Sequence, residues 1–415
     1  MTGGVRKRGK TWSYYFDIGI VDGKRKKKEK GGFRTKKEAE TALASALKEF
    51  NETGSTFTPS EKSLSDYLDE WFNSYVIVNL RYNSQACRKK YITNNIKPAI
   101  GIYKLKNLNP AILQEFINNL KLQQYSKNTI EGICQTLSSA LDYAVYPLAY
   151  LQMNPMKSVK MPVIEKKVVK QRTELTTDQV DTILHMYPKT NRHHLPLLIG
   201  YYCAVRISEC FGLTWDDVDL DNRTITINHQ FFRRKRTIDE SKTGWYIQPV
   251  KTDSSNRTIK FGQTLYDALL YAKNSQEDAE KDYGDYYYVQ IKTPEHDEKG
   301  NLMYHIETIP KSELKKQDRI RFVCVDVNGQ HTTQMTFRHI SDNISKKLGI
   351  DFDYHSLRHT HATKMIENKI SPVSVQKRLG HASITTTLST YVHDTEQMQD
   401  DAVEIFEQHA KMPPK

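Results

Sequence analysis

The segment HSLRHTHAT, residues 355–363, sets three histidines and an arginine within nine positions. Read as a helix, His355 and Arg358 are i,i+3 neighbours and His355 and His359 are i,i+4 neighbours, so both pairs share a face. Two chemistries use such a face. Paired histidines at i,i+4 are the spacing of zinc proteases, but that motif needs a glutamate beside the first histidine as general base. Here Ser356 and then Arg358 follow, and a fixed guanidinium repels a divalent ion. The other chemistry is anion binding: arginine offers a planar fork of donors that suits phosphate oxygens, and histidine adds a further hydrogen bond. A solvated basic helix turn is the third reading of the segment taken alone, so other parts of the chain must decide.

Three more segments bear on the choice. CAVRISECFGLTWDDVD places Arg206 ahead of Glu209 in a helix, and PVKTDSSNRTI places Lys251 at a strand end beside a turn. RLGHASITTTLSTYVH supplies His381 and, ten positions later, Tyr391. Each has a bland alternative. Arg206 alone is an ordinary ion-pair partner for Glu209, Lys251 competes with Lys242 and Lys260, and Tyr391 is one of 24 tyrosines, distinguished by its place after Leu-Gly-His.

Together and in this order the segments resemble the tyrosine recombinases, the site-specific DNA integrases of phages and integrative mobile elements. The family motif R-x-S-E is matched by Arg206 to Glu209, its hairpin lysine by Lys251, H-x-L-R-H by His355 to His359, L-G-H by Leu379 to His381, and its nucleophile by Tyr391. Ala204 departs from the pattern, standing where a glycine is common, and residues 283–323 are longer than the usual connection. His359 and His361 match no catalytic position and are read as structural.

The resemblance implies a mechanism that the residue types can support. A phosphodiester repels nucleophiles through its own charge, so two arginine forks, Arg206 and Arg358, stabilise the transition state on its nonbridging oxygens. Tyr391 attacks, with nearby cations and His355 assisting loss of a proton whose ordinary pKa is about 10. Lys251 protonates the leaving 5′ oxygen as general acid, and His381 donates to a phosphate oxygen. The product is a 3′-phosphotyrosyl DNA link that keeps the phosphodiester energy, so rejoining through a Holliday junction needs no cofactor, neither ATP nor metal.

The rest of the chain must carry and position these groups. Its 415 residues suffice for two or three domains, and a hydrophobic content of 38% permits ordinary cores. No apolar run reaches membrane length, and MTGGVRKRGKTW has no apolar segment behind its basic start, so a cytoplasmic protein without membrane contact is expected. Five scattered cysteines, 87, 134, 203, 210 and 324, form no C-x-x-C pair and argue against a disulfide framework or zinc ribbon. The net charge of +12 suggests a polyanionic partner. Residues 1–37 hold 13 Lys or Arg against 3 Asp or Glu, a local net of +10, which concentrates the basic character at the N-terminus. There the basic residues Arg6, Lys7, Arg8, Lys10, Lys24, Arg25 and Lys26 interleave with strand-like aromatic sequence, which favours nucleic acid as the ligand.

The expected fold is multidomain and mainly α with small β-sheets, in three parts. Residues 1–58 read as a β-meander, alternating through Trp12, Tyr14, Phe16, Ile18 and Ile20 to a turn at Asp22-Gly23, plus a helix with an apolar stripe through Ala39, Leu43, Ala46 and Phe50 that ends at Gly54. This resembles the arm-type DNA-binding domain of integrases. Residues 62–158 read as a four-helix unit, which resembles the core-binding domain of integrases, with stripes at Leu64, Leu68, Trp71 and Tyr75, at Leu113, Phe116, Ile117 and Leu120 behind Asn109-Pro110, and from Ile130 to Leu148 behind a Ser126 cap. An exposed basic connector is expected over 154–175. Residues 173–415 read as a mixed α/β catalytic domain with one short antiparallel sheet across TITINHQFF, WYIQPVKT and SSNRTIKF, and an inserted hairpin turning at Lys299-Gly300.

By resemblance the partners are double-stranded DNA at core and arm-type sites, a homotetramer on paired sites, and a directionality factor or host DNA-bending protein. The tail carries Met398, Ala402, Ile405 and Phe406 as one apolar stripe, expected to dock on a neighbouring subunit rather than on its own domain. A dimer-resolving recombinase of the same fold, a DNA-binding protein with a silent site and a type IB topoisomerase are the competing readings. The basic N-terminal unit argues against the first, and the complete set of site residues against the second.

Overall fold

The computed structural model describes residues 3–21, 24–53, 60–163, 174–238, 240, 242–250, 253–297, 299–316, 318–391, 403, 404 and 407. Two units divide at Lys167 and Val168. Within the first unit, β1 (Gly3–Arg8), β2 (Thr11–Val21) and β3 (Lys24–Phe33) form an antiparallel sheet in that order, followed by α1 (Lys36–Thr53). Strand alternation sends Tyr14 and Phe16 to one face, where they bury with Ala46 against Val5, Phe33, Leu43 and Leu47. On this sheet Glu29 pairs with both Arg6 and Arg8, while Lys7 and Lys10 are exposed. The backbone of Lys24, Arg25 and Lys26 pairs with Val21, Ile20 and Gly19. The side chains of Ile18, Phe50 and these three basic residues, and the Asp22-Gly23 turn, lie outside the described residues.

Four helices follow. The first is α2 (Leu64–Trp71), continued by a π-helical turn, Phe72–Val76, into α3 (Ile77–Asn79); the second is α4 (Tyr82–Tyr91), continued likewise through Ile92–Ile96 into α5 (Lys97–Ile100). The others are α6 (Pro110–Leu122) and α7 (Lys127–Val145). Their starts carry the expected caps: Asn109 accepts from the Ile112 N–H at 3.0 Å and Ser126 from the Thr129 N–H at 3.3 Å. Leu64, Leu68, Trp71, Leu113, Phe116, Ile117, Leu120, Ile130, Ile133, Leu137 and Leu141 are buried, and Tyr75 stacks on Trp71. Leu148 lies beyond the end of α7 rather than on its stripe.

The connector begins later than its composition suggests. Asn154 is buried and donates its side-chain amide to the Ser138 carbonyl at 3.0 Å and to Asp142 at 2.8 Å, fastening residues 154–158 onto α7. At the other end Leu175 is fully buried, and its N–H donates to the Thr360 hydroxyl at 2.9 Å. Residues 164–173 lie outside the described residues.

The second unit opens with α8 (Thr177–Met186), whose Thr176 and Gln179 form a reciprocal capping box, then α9 (His194–Cys203) and the single turn α10 (Ile207–Cys210). The strands β4 (Val218–Asp219), β5 (Thr224–Ile227), β6 (His229–Lys235), β7 (Thr243–Pro249) and β8 (Arg257–Lys260) come next, then α11 (Gln263–Tyr283). After β9 (Tyr288–His296), β10 (Leu302–Pro310) and β11 (Arg319–Ile320), the chain ends in α12 (Gln334–Leu348), α13 (Tyr354–Glu367), α14 (Pro372–Leu379) and α15 (Ile384–Tyr391). The tail stripe lies outside the described residues.

The strands make two sheets where one was expected: β4-β5-β8, and β11-β9-β10-β7-β6. A single residue, Asn228, separates β5 from β6, yet they part. β5 pairs with β8 and β6 with β7, and the inserted hairpin extends the second pair, its β10 pairing with β7 at Ile306↔Trp245, His305↔Tyr246 and Tyr304↔Ile247. This leaves β6 at the edge of a five-stranded sheet, and Phe231, Ile247, Ile306 and Phe322 bury together in the main core. The insertion's turn is held by Asp297, which accepts from the N–H groups of Lys299 and Asn301 at 2.9 Å, with Gly300 at φ +76°. Among the described residues no helix is long and apolar enough to cross a membrane.

Candidate active site

HSLRHTHAT does form a helix, most of α13, capped by Asp353, which accepts from the Ser356 N–H at 2.9 Å. The polar helix is nevertheless buried over much of its surface: Ser356, Arg358, His359, Thr360 and Thr363 are all in the interior. Arg358, 1% exposed, donates to the Ala204 carbonyl at 2.6 Å and the Leu379 carbonyl at 2.7 Å. His361 bonds through Nδ1 to the Tyr201 carbonyl at 2.7 Å, leaving Nε2 to accept from Arg378 Nε at 3.0 Å. These bonds offset the desolvation of so many polar groups. They also make this helix the hinge pin between the end of α9 and the end of α14.

The turn after α9 delivers Arg206. Ala204 adopts the left-handed conformation, φ 53° and ψ 31°, which costs an alanine about 1–2 kcal/mol. Packing against Ala362, Ile366, Val375 and Leu379 holds it there. Arg206 is extended at the N-cap of α10 rather than inside a helix, and Glu209 reaches back to it. Glu209 Oε2 accepts from the Arg206 backbone N–H at 2.9 Å, and Oε1 from its guanidinium at 2.6 Å. Burial alone would raise the Glu209 carboxyl, but the charge and hydrogen bond of Arg257, then Arg206, outweigh it and keep the group below its usual range. Arg206 retains 35% side-chain exposure, so its fork is reachable from outside.

The third contributor is the end of α14. Gly380 has φ +68°, and a Cβ there would stand 3.0 Å from the Ser254 carbonyl oxygen and 3.1 Å from Arg257. Three successive carbonyls at this terminus each accept from a different arginine: Arg378 from Arg257 at 2.8 Å, Leu379 from Arg358 at 2.7 Å, and Gly380 from Arg206 at 3.4 Å. A helix C-terminus carries about −0.5 charge, so it is a natural cradle for cations. Gly380→Ala is therefore expected to destabilise the chain by about 1–2 kcal/mol or more, read as a lower melting temperature, since left-handed strain and a backbone contact act together.

His381 follows directly, bonded through Nδ1 to the buried Thr387 hydroxyl at 2.9 Å. Either of the two can donate in this bond, since a neutral imidazole carries its proton on one nitrogen only; Thr387 holds the ring through Nδ1. Burial first, then the charges of Arg358, Arg206, Arg257 and His355, lower its pKa to about 4. Charges that act on His381 must stand close to it, so four of the six expected residues, Arg206, His355, Arg358 and His381, lie in one cationic neighbourhood. Tyr391 closes α15, ten residues beyond His381, and its side chain lies outside the described residues, as does Lys251.

Arg257, Arg378 and Thr387 join this neighbourhood too; they lie in the segments that carry Lys251, His381 and Tyr391 but at no matched catalytic position. Strand period offers a signal for Arg257, which shares a face of β8 with the buried Ile259. Arg378 donates only to neutral acceptors among the described residues: His361 Nε2, the Lys260 carbonyl and the Tyr202 carbonyl. The neighbourhood therefore keeps uncompensated positive charge, suited to an anion. Among the described residues no group of three His, Cys, Asp or Glu is placed to hold a metal.

The neutral histidines have a pH consequence. His193, His361 and His381 are lowered to about 4 and His331 to about 3, burial being the leading cause each time. An unfolded histidine takes up its proton below about 6.5, which the folded chain resists, so stability is full above that value and declines as pH falls towards 4. The slope is at most about 1.4 kcal/mol per pH unit for each histidine. Melting temperatures from pH 7.5 to 4.5 should fall most steeply below about 6.5.

Comparison with known proteins agrees in family and in architecture. The Phage integrase family matches residues 173–398, an Arm DNA-binding domain residues 5–50, and the Phage integrase N-terminal SAM-like domain residues 63–121. A "Tyrosine recombinase XerC-like" protein of Caldanaerobacter subterraneus subsp. tengcongensis is 25% identical over 384 residues, covering 89% of each chain. The integrase of Staphylococcus phage L54a is 25% identical over 350 residues, covering 80% of this chain and 88% of its own, and the Tn916 transposase of Enterococcus faecalis is 25% identical over 323, covering 76% and 71%. The fold matches the Tn1549 transposon integrase in complex with transposon right end DNA, with a TM-score of 0.62 at 20% identity over 84% of this chain and 99% of that one. With the family matched over more than half its length, the chain belongs to the phage integrase family, the site-specific tyrosine recombinases of mobile elements.

Proposed function

We propose that this chain cuts and rejoins DNA at paired sites through a 3′-phosphotyrosyl intermediate. The supporting observation is the cradle at the end of α14, where consecutive carbonyls fix Arg358 and Arg206 beside His381. Two guanidinium groups and an imidazole gathered there suit the nonbridging oxygens of a phosphodiester. Tyr391 supplies the nucleophilic oxygen; the P–O bond to it forms as the bond to the 5′ oxygen breaks. The tyrosine proton passes to a base, assisted by His355, and Lys251 protonates the leaving oxygen. No net hydrolysis occurs, so reversal by a 5′ hydroxyl from another strand completes the exchange.

The experiment is a core-site duplex nicked so that the 5′ fragment diffuses away after cleavage. A covalent complex at the 3′ end, formed without ATP and in excess chelator, is expected. Its absence while binding persists would favour a DNA-binding protein with a silent site. The basic sheet with Arg6, Lys7, Arg8 and Lys10 is assigned to a second, arm-type DNA site, bound with steep salt dependence. Removing residues 1–58 should spare cleavage of the core duplex while impairing full integration; joint loss of both would contradict a separable module. A homotetramer on the paired sites, with a directionality or DNA-bending factor, completes the reading, and a lambda integrase tetramer bound to a Holliday junction shares the fold at 13% identity and a TM-score of 0.52.

A further inference from the structure

We infer that Arg257 is a positioning residue for the cleavage step, acting on the phosphate through Arg206. This rests on the proposed role of Arg206 and adds to it a residue six positions after Lys251 that stands at none of the matched catalytic positions. Arg257 stands at the start of β8 with a side chain only 6% exposed, too deep to meet DNA. All three of its guanidinium nitrogens are engaged. Nη2 donates to Glu209 Oε2 at 2.9 Å, Nε to the Arg378 carbonyl at 2.8 Å, and Nη1 to the Ser255 carbonyl at 3.0 Å. One planar group thus joins the start of β8, the turn of α10 and the end of α14.

The consequence falls on Arg206. Glu209 is its carboxylate partner, with one oxygen on the Arg206 guanidinium and the other divided between the Arg206 N–H and Arg257. A buried carboxylate bonded to Arg206 alone would neutralise it and draw its fork away from an incoming phosphate. With Arg257 sharing the charge, Arg206 is oriented without being neutralised. The same guanidinium fixes the Arg378 carbonyl, the first of the three that seat Arg257, Arg358 and Arg206, so the loop bearing His381 keeps its register. Gly380 is required for this fit, since a Cβ would meet Arg257 at 3.1 Å.

The test uses the full chain and the nicked core duplex, measuring the single-turnover rate of covalent complex formation, the DNA dissociation constant and the melting temperature. Arg257→Gln, Arg206→Lys and the double variant are compared. Arg257→Gln is expected to slow cleavage about tenfold or more while leaving the dissociation constant within about threefold, because coupled neighbours share their effects. In the Arg206→Lys background the same change should cost less than about threefold, as both act through one contact. Multiplicative penalties in the double variant, a loss confined to binding, or an unchanged rate would each overturn the inference. If Arg257→Gln shows no cooperative melt, Arg257→Lys takes its place, judged by the same non-additivity. Normal cleavage by Arg206→Lys alone would instead sink the phosphate role of Arg206, so the two failures are distinguishable.

Discussion

Tyr391→Phe is expected to bind core DNA with unchanged affinity and to form no covalent complex at all. The ring is kept, and only the attacking oxygen is lost. Tyr391 ends α15, the helix that begins three residues after His381, so the helix sets its distance from the arginine cradle. A gel shift at wild-type affinity together with a blank denaturing gel would meet the expectation. A covalent band surviving in this variant would move the nucleophile to another residue.

Arg206→Lys should slow cleavage by about 100- to 1000-fold, the usual cost of removing one preorganised donor to a developing charge. Lysine keeps the charge but not the planar fork, whose two separate nitrogens Nη1 and Nη2 reach Glu209 and the Gly380 carbonyl while holding a fixed plane towards a phosphate. Since Arg206 is partly exposed, folding should be largely preserved. The same substitution at Arg358 should behave differently. Buried at 1% and bridging Ala204 to Leu379, it would leave a carbonyl unsatisfied, so stability and cleavage should fall together. Single-turnover rates and melting curves of the two variants separate these effects.

What the sequence made readable was local. The caps at Asn109 and Ser126 and the stripes of the helical unit depend on residues three or four apart, and these appear as expected except for Leu148. The helix of residues 355–363 belongs with them. The second sheet was not readable, because β7 pairs with a strand more than 50 residues further on, and only tertiary packing decides that partner. The cradle was hidden for a similar reason. Arg257 and Arg378 look like solvated charges in sequence, and what buries them is a set of carbonyls 121 and 118 or more positions away. Asn154 likewise reads as loop, yet its amide fits the groups exposed along α7.

The covalent link itself offers the most direct measurement. The full chain trapped on the nicked core duplex would be digested with nuclease and protease, and the nucleotide-bearing peptide sequenced by mass spectrometry. The expected peptide carries a 3′-linked nucleotide on the oxygen of Tyr391. A nucleotide on a different residue, or attached through its 5′ phosphate, would contradict the mechanism proposed here.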